Sequence, residues 1–290
     1  MADQLTWLVT GCTSGLGEAL VRAILSKGDK VIATARERKG VSGIERLSAL
    51  KESGAAVFEL DITAPQAELN EKAKEAWNTY GHIDVLVNNA GFIMGGLVEE
   101  INEETLLGVL RTNALGPLNL TRAFLPFMRG RRTGTLLFTG SVGPHYAIPG
   151  ASCYIGSKGL LDAIVPNLAL EVAPFGLRTC NLIFGHFRTE IMNENNATHS
   201  TPNPIPELAE LHKLVDDAFK AGTVGWPGDP KKGCELVVEA VRGEGRCAGK
   251  ELPLRLPVGS DAPSIIRHDC TQRMKICDEW DGVMTATECD

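Results

Sequence analysis

The segment LTWLVTGCTSGLGEALVRAILSKG, Leu5 to Gly28, restricts the possible folds more than any other part of the chain. Leu5 to Thr10 is short, apolar and β-branched, and Leu16, Ala19, Leu20, Ala23 and Ile24 then recur at helical spacing. Between strand and helix lies TGCTSGLG, Thr10 to Gly17. A glycine-rich turn in that position lets a pyrophosphate approach backbone amides at a helix N-terminus. Gly11 suits the tight turn, Gly15 the close approach and Gly17 the packing of helix on strand. The plainer reading, a helix start that merely tolerates glycine, has to accept about 1 kcal/mol per helical Gly relative to Ala, three times over.

The alternation continues along the chain. KVIATA reads as a strand, Ile44/Leu47/Leu50 as one helix face, AAVFEL as a strand, Leu69/Ala73/Ala76/Trp77/Tyr80 as the next face and IDVLVN as a strand. A helical stretch from Asn102 to about Met128, the strand TGTLLFTG, a helix from about Ala151 to Ala173 and the strand LRTCNLIF follow. Pro206 to Ala221, Pro230 to Arg242 and Ser264 to Asp281 read as helices, with ELPLRLPVG as an edge strand. Strands that are near-continuously apolar and separated by helices imply parallel pairing with both faces covered. The expectation is therefore an α/β protein: a Rossmann-like, doubly wound parallel β-sheet with helices on both faces, one domain over residues 1–290. A substrate lid is expected at about 186–226, around the Asn/Thr/Pro-rich run from Asn193 to Pro206, which also reads as a plain surface excursion. A helical extension is expected at about 260–290.

Composition removes other classes. Twenty-nine basic against 36 acidic residues give a net charge of -7, unfavourable for a phosphate backbone, and the basic runs Arg36 to Lys39 and Arg129 to Arg132 are short. Eight cysteines without a CxxC pair and six histidines without ligand spacing suggest neither a disulfide framework nor a metal site. No run approaches the roughly 20 apolar residues that span a bilayer, and no signal-type segment opens the chain. A cytoplasmic protein without nucleic-acid or membrane partners is expected.

The spacing TGxxxGxG, together with NNAG at Asn88 to Gly91, resembles the short-chain dehydrogenase/reductase family, and the likeness runs from Thr10 to at least Thr189. In that family the asparagine matches Asn113 in RTNALGP, the serine Ser141, and the tyrosine and lysine Tyr154 and Lys158. Tyr146 precedes Gly150 by four residues whereas Tyr154 precedes Lys158, and i and i+4 share a helix face. Tyr154 is thus the candidate, and Tyr146 a loop residue lining the substrate cavity. The resemblance implies that Tyr154 donates a proton, Ser141 hydrogen-bonds the substrate oxygen, Asn113 orders a water, and Lys158 binds the nicotinamide ribose. A phenol with an ordinary pKa of about 10 needs help near neutrality, and a nearby cation lowers that value. Lys158 is expected to supply the cation.

Cofactor contacts are expected from Gly11, Ser14, Gly15, Leu16, Gly17, Arg36, Asp61, Ile62, Asn88, Ala90, Gly91, Tyr154, Lys158 and Thr189. After the second strand, Ala35 stands where an acidic residue would bind a 2′-hydroxyl, and Arg36, Arg38 and Lys39 follow. This field favours a 2′-phosphate and hence NADPH over NAD, although Ser14 precedes Gly15 where many NADP-linked relatives carry a basic residue. The expected activity is NADPH-dependent reduction of a ketone or aldehyde, with fungal-like features that suggest secondary metabolism. An NAD-linked alcohol dehydrogenase and a non-catalytic dinucleotide-binding scaffold are the alternatives, and TGxxGxxG epimerases fit the turn less well. One departure stands out: IFGHFRTE puts Phe184 where the family usually has proline, with His186 and Arg188 open to substrate contact or a surface place. The resemblance further implies a homo-dimer or homo-tetramer formed through the helices that carry Asn113 and Tyr154.

Overall fold

The computed structural model describes residues 3–38, 40–192, 197–199 and 204–287. The first half runs β1 (Thr6–Val9), α1 (Gly15–Ser26), β2 (Lys30–Ala35), α2 (Ser48–Glu52), β3 (Ala56–Glu59), α3 (Gln66–Tyr80), β4 (Val85–Asn88), β5 (Ile93–Gly95), α4 (Glu103–Leu110) and α5 (Gly116–Arg131). The second half runs β6 (Gly134–Ser141), α6 (Ser152–Val172), β7 (Leu177–Phe184), β8 (Ala197–His199), α7 (Ala209–Ala221), α8 (Pro230–Arg242), β9 (Arg255–Val258) and α9 (Ala262–Met284). Seven strands pair in parallel in the order β3-β2-β1-β4-β6-β7-β9. The order reverses between β1 and β4, and a crevice opens there at the carboxyl ends of the strands. Successive side chains of each strand face opposite layers. Trp7, Val9, Val85 and Val87 join one apolar layer with Leu20, Ile24 and Val238, while Leu8, Leu86, Leu136 and Phe138 join the other with Leu69, Leu120 and Val165. Helices therefore cover both faces of the sheet, the arrangement the apolar strands imply.

Several elements depart from the periodicity. The Ile44/Leu47/Leu50 face is not one helix: a 3₁₀ turn at Glu45–Leu47 leads into a five-residue α2. The chain passes so close to β2 that a Cβ on Gly43 would lie 2.1 Å from the Ala35 carbonyl oxygen, and a tight turn replaces a regular start. The helix from Asn102 to Met128 is likewise interrupted, by a π turn at Arg111–Leu115 between α4 and α5. Asn102 caps its start by accepting the Thr105 N–H at 2.8 Å. ELPLRLPVG forms β9, parallel to β7 at the sheet edge. β5 and β8, three residues each, pair with one another outside the main sheet and are too short to show a period of two. Most of the Asn193 to Pro206 run lies outside the described residues, as does Lys39.

Candidate active site

The glycine turn is built by close backbone approach. Gly11 has φ +70°, and a Cβ there would sit 2.8 Å from the Ala90 Cα; one on Gly17 would sit 2.2 Å from the Gly11 carbonyl oxygen. Thr10 locks the turn to the end of β4, its Oγ1 accepting from the N–H groups of Asn89 (2.9 Å) and Ala90 (3.0 Å). Asn89 Nδ2 donates back to the Thr10 carbonyl at 2.8 Å. These contacts leave the amides at the start of α1 facing a cleft of about 720 Å³ lined by Gly11, Ser14, Gly15, Leu16 and Gly17, and by Ala90 and Gly91. The residues present fit a dinucleotide, because a side chain at Gly11 or Gly17 would close the cradle.

Asn88 is a correction. It is buried within the helix layer, where its Nδ2 donates to Thr121 Oγ1 at 3.1 Å, and it is Asn89 that lines the cleft. At the far end Arg36, Asp61 and Ile62 line the cleft as expected, joined by two residues the sequence reading missed, Thr13 and Arg46. Arg46 donates to the Arg36 carbonyl (3.0 Å) and to Thr13 Oγ1 (3.3 Å). Burial and then the Arg38 and Arg36 charges hold its pKa below the ordinary arginine value, as expected where cations converge. The signal was a basic side chain ten residues past Arg36, but its turn back to β2 is not visible in spacing. Asp61 accepts from the Thr63 N–H and hydroxyl at 2.8 and 2.7 Å, so it caps its own turn as well as facing the cleft.

Ser141 ends β6, Tyr154 lies in the first turn of α6 and Lys158 one turn later, and all three face the same cleft. Ser141 Oγ accepts from the Gly143 N–H at 3.0 Å, and the serine stands near enough to the Tyr154 phenol to hold its pKa down in part. Lys158 is 5% exposed; its Nζ donates to the Thr139 carbonyl at 2.7 Å and lies 5.8 Å from the centre of the Tyr154 ring. The electrostatics correct the expectation of a lowered phenol pKa. Burial raises Tyr154 above the ordinary tyrosine value, Ser141 lowers it in part and Tyr146 raises it further. Burial also pulls Lys158 down to about 8. Desolvation, and not the lysine, sets the direction for the phenol.

Asn113 is fully buried in the π turn and does not line the cleft. Its Oδ1 accepts from the Phe92 N–H (3.0 Å), and its Nδ2 donates to the Phe92 carbonyl (2.9 Å) and Ser157 Oγ (3.1 Å). A Cβ on Gly91 would lie 3.1 Å from Asn113 Oδ1 and 3.6 Å from Lys158 Nζ, so that glycine lets the asparagine and the lysine meet the NNAG loop. Phe184 extends β7 to pair with Ser141 and stacks edge-on against Phe187 at 5.3 Å. Thr189 faces Gly15, 3.4 Å from where a Cβ on that glycine would stand. Tyr146, His186 and Trp226 line the cleft beyond Tyr154, whereas Arg188 is exposed and outside its lining.

Comparison with known proteins accords with this geometry. The model of the short chain dehydrogenase family matches residues 6–200. The chain belongs to the short-chain dehydrogenase/reductase family. It is thus an NAD(P)-dependent oxidoreductase. It is 30% identical over 260 residues to oxidoreductase BOA17 of Botryotinia fuckeliana, covering 88% of this chain and 89% of that one. A crystal structure of a short-chain dehydrogenase from Streptomyces avermitilis superposes with TM-score 0.85 at 32% identity, over 99% of both chains. An actinorhodin polyketide ketoreductase with NADPH superposes with TM-score 0.70 at 26% identity, over 90% of this chain and 99% of that one. Among the described residues no helix is long and apolar enough to cross a membrane.

Proposed function

We propose that the protein is an NADPH-dependent reductase that converts a ketone or aldehyde to an alcohol. One observation carries the reading: a single cleft joins the glycine turn to the buried Ser141, Tyr154 and Lys158 cluster. When bound, the nicotinamide cofactor supplies the hydride. The amides at the start of α1 would hold its pyrophosphate, with Gly11, Gly15 and Gly17 giving it room. Ser141 holds the substrate oxygen, and Tyr154, kept protonated at neutral pH by burial, delivers a proton to it. The Lys158 charge stabilises the phenolate left behind. Asn113 acts from behind the cleft by fixing Phe92 and Ser157. Asp61 and Ile62 would hold the adenine end of the cofactor, and Thr189 its nicotinamide end.

The cofactor preference rests on Arg36, Arg38 and Arg46, which converge at the far end of the cleft where a 2′-phosphate would be held. The ketoreductase crystallised with NADPH supports the same reading. Ser14, in a place where a further cation would strengthen phosphate binding, favours the second reading, an NAD-linked alcohol dehydrogenase. Turnover with NADPH and NADH, in wild type and in Arg36→Ala, separates the two; NADPH is expected to be preferred, and the preference to shrink in the variant. Tyr154→Phe is expected to lower NADPH-dependent carbonyl reduction at least a hundredfold with an unchanged melting temperature; activity near that of wild type would end the assignment. The segment 186–226 as substrate lid, a cytoplasmic homo-dimer or homo-tetramer, and a place in secondary metabolism complete the proposal.

A further inference from the structure

Beyond Tyr154 this mechanism leaves unused two polar side chains of the cleft wall, Tyr146 and His186, and Asp261 behind them. Asp261 is the N-cap of α9, yet its side chain caps no helical N–H. Its Oδ2 instead accepts from the His186 backbone N–H (2.9 Å) and pairs with His186 Nδ1 (2.7 Å). An N-cap aspartate normally satisfies its own helix, a contribution of typically about 1 kcal/mol, so this diversion has a cost. The approach also depends on Gly185, the glycine kept after Phe184: a Cβ there would lie 2.1 Å from Asp261 Oδ1. On the other side of the imidazole, His186 Nε2 lies 3.1 Å from the Tyr146 hydroxyl. Trp226 packs edge-on against the same ring, centroids 5.0 Å apart.

A carboxylate can only accept, so Nδ1 donates to Asp261, and the neutral ring with its hydrogen there has a lone pair on Nε2. The Tyr146 hydroxyl then donates to Nε2 and turns its own oxygen lone pairs to the cavity. Burial and then the Asp261 charge raise the Tyr146 pKa, which keeps that proton in place. We propose that Asp261, His186 and Tyr146 form a relay that presents the Tyr146 oxygen as a hydrogen-bond acceptor for a substrate hydroxyl, so that the substrate is an apolar ketone or aldehyde bearing a second, donating OH group. The remaining wall is apolar, with Ile148, Ile155, Val215 and Phe219 facing the same space. Tyr146 is the group that touches substrate, and His186 and Asp261 position it. The proposal rests on the reductase reading only for the carbonyl end of the ligand.

The test uses 2-tetralone, its hydroxy isomers on the aromatic ring and their methyl ethers, as ligands and as substrates of the full chain. Binding is followed by tryptophan fluorescence in the presence of NADP⁺, with Trp226→Phe identifying the reporting residue. At least one hydroxy isomer is expected to bind roughly tenfold tighter than both 2-tetralone and its own methyl ether, the size of one net hydrogen bond. Tyr146→Phe and His186→Leu are expected to abolish that preference, the hydroxy isomer losing more affinity than 2-tetralone does, and His186→Gln, which can still accept from the phenol, to keep part of it. In Tyr154→Phe turnover is lost but the binding preference persists. A preference that survives Tyr146→Phe, a preference for the methyl ethers, no preference among the isomers, or a loss in His186→Gln as complete as in His186→Leu would overturn the relay. Absence of turnover with every tetralone and either cofactor would defeat the reductase reading instead, and the fluorescence titration would still decide the relay.

Discussion

At the scale of single residues, the site turns on how far burial moves two protons. Lys158 has a folded pKa of about 8 against 10.5 for the unexposed-to-protein side chain, so the unfolded chain binds its proton more tightly. The stability of wild type relative to Lys158→Met is therefore fully present above about pH 10.5 and is lost as pH falls through about 8, which melting curves of the cofactor-free protein across that window would register. Catalysis has the opposite dependence: the charged lysine is the useful form, so kcat/KM for reduction is expected to fall above about pH 8. A flat profile from pH 7 to 9.5 would contradict that role. Spacing was enough to put Tyr154 and Lys158 together on α6, because i and i+4 share a helix face. It was not enough to separate Asn88 from Asn89, since the last residue of a strand and the first beyond it face opposite ways, and only the helix packed over β4 decides which meets the cleft. Nor could it reveal that desolvation, a property of everything around Tyr154, sets the direction in which its pKa moves.

At the scale of elements, the turn between β1 and α1 carries the clearest expectation. Replacing a helical glycine by alanine ordinarily stabilises by about 1 kcal/mol. At Gly17 the added Cβ would lie 2.2 Å from the Gly11 carbonyl oxygen and 2.7 Å from Asn89 Nδ2, so the sign reverses. Gly17→Ala is expected to lower the melting temperature by several degrees and raise KM for the cofactor, measured by thermal unfolding and initial rates. The arginine cluster is a property of elements too: Arg36 leaves β2, Arg46 returns from the 3₁₀ turn, and they meet because Gly43 lets the chain double back. Arg46→Ala is expected to raise KM for NADPH roughly tenfold and leave that for NADH within a factor of two. The π turn at Arg111–Leu115 was illegible in the sequence, since its residues continue a helical pattern and the irregularity follows from packing Asn113 against Phe92 and Ser157.

At the scale of the whole molecule, distant segments are tied across the sheet by a few buried polar groups. Asp29 accepts from the Leu5 N–H, the Trp7 indole and Arg242 of α8, the last at 2.7 and 2.9 Å. Removing one partner of a buried pair leaves the others uncompensated, so Asp29→Ala is expected to cost about 3–5 kcal/mol in a urea titration, with Asp29→Asn retaining part of it. The surface offers a further expectation. Leu106, Leu107 and Leu115 on and after α4, and Leu170 on α6, are exposed, the last at 75%. Their burial between copies would support the proposed homo-oligomer; light scattering at micromolar concentration is expected to give a multiple of the 31.1 kDa chain mass. The alternation of strands and helices and the glycine turn are legible locally, because hydrophobic period and glycine sterics act over a few neighbouring residues. That Arg46 joins Arg36, that Asn113 stands behind the cleft, and that Asp261 reaches His186 across 75 residues of chain emerges from long-range packing. Those contacts depend on where the sheet brings remote segments together, and no local pattern encodes that distance.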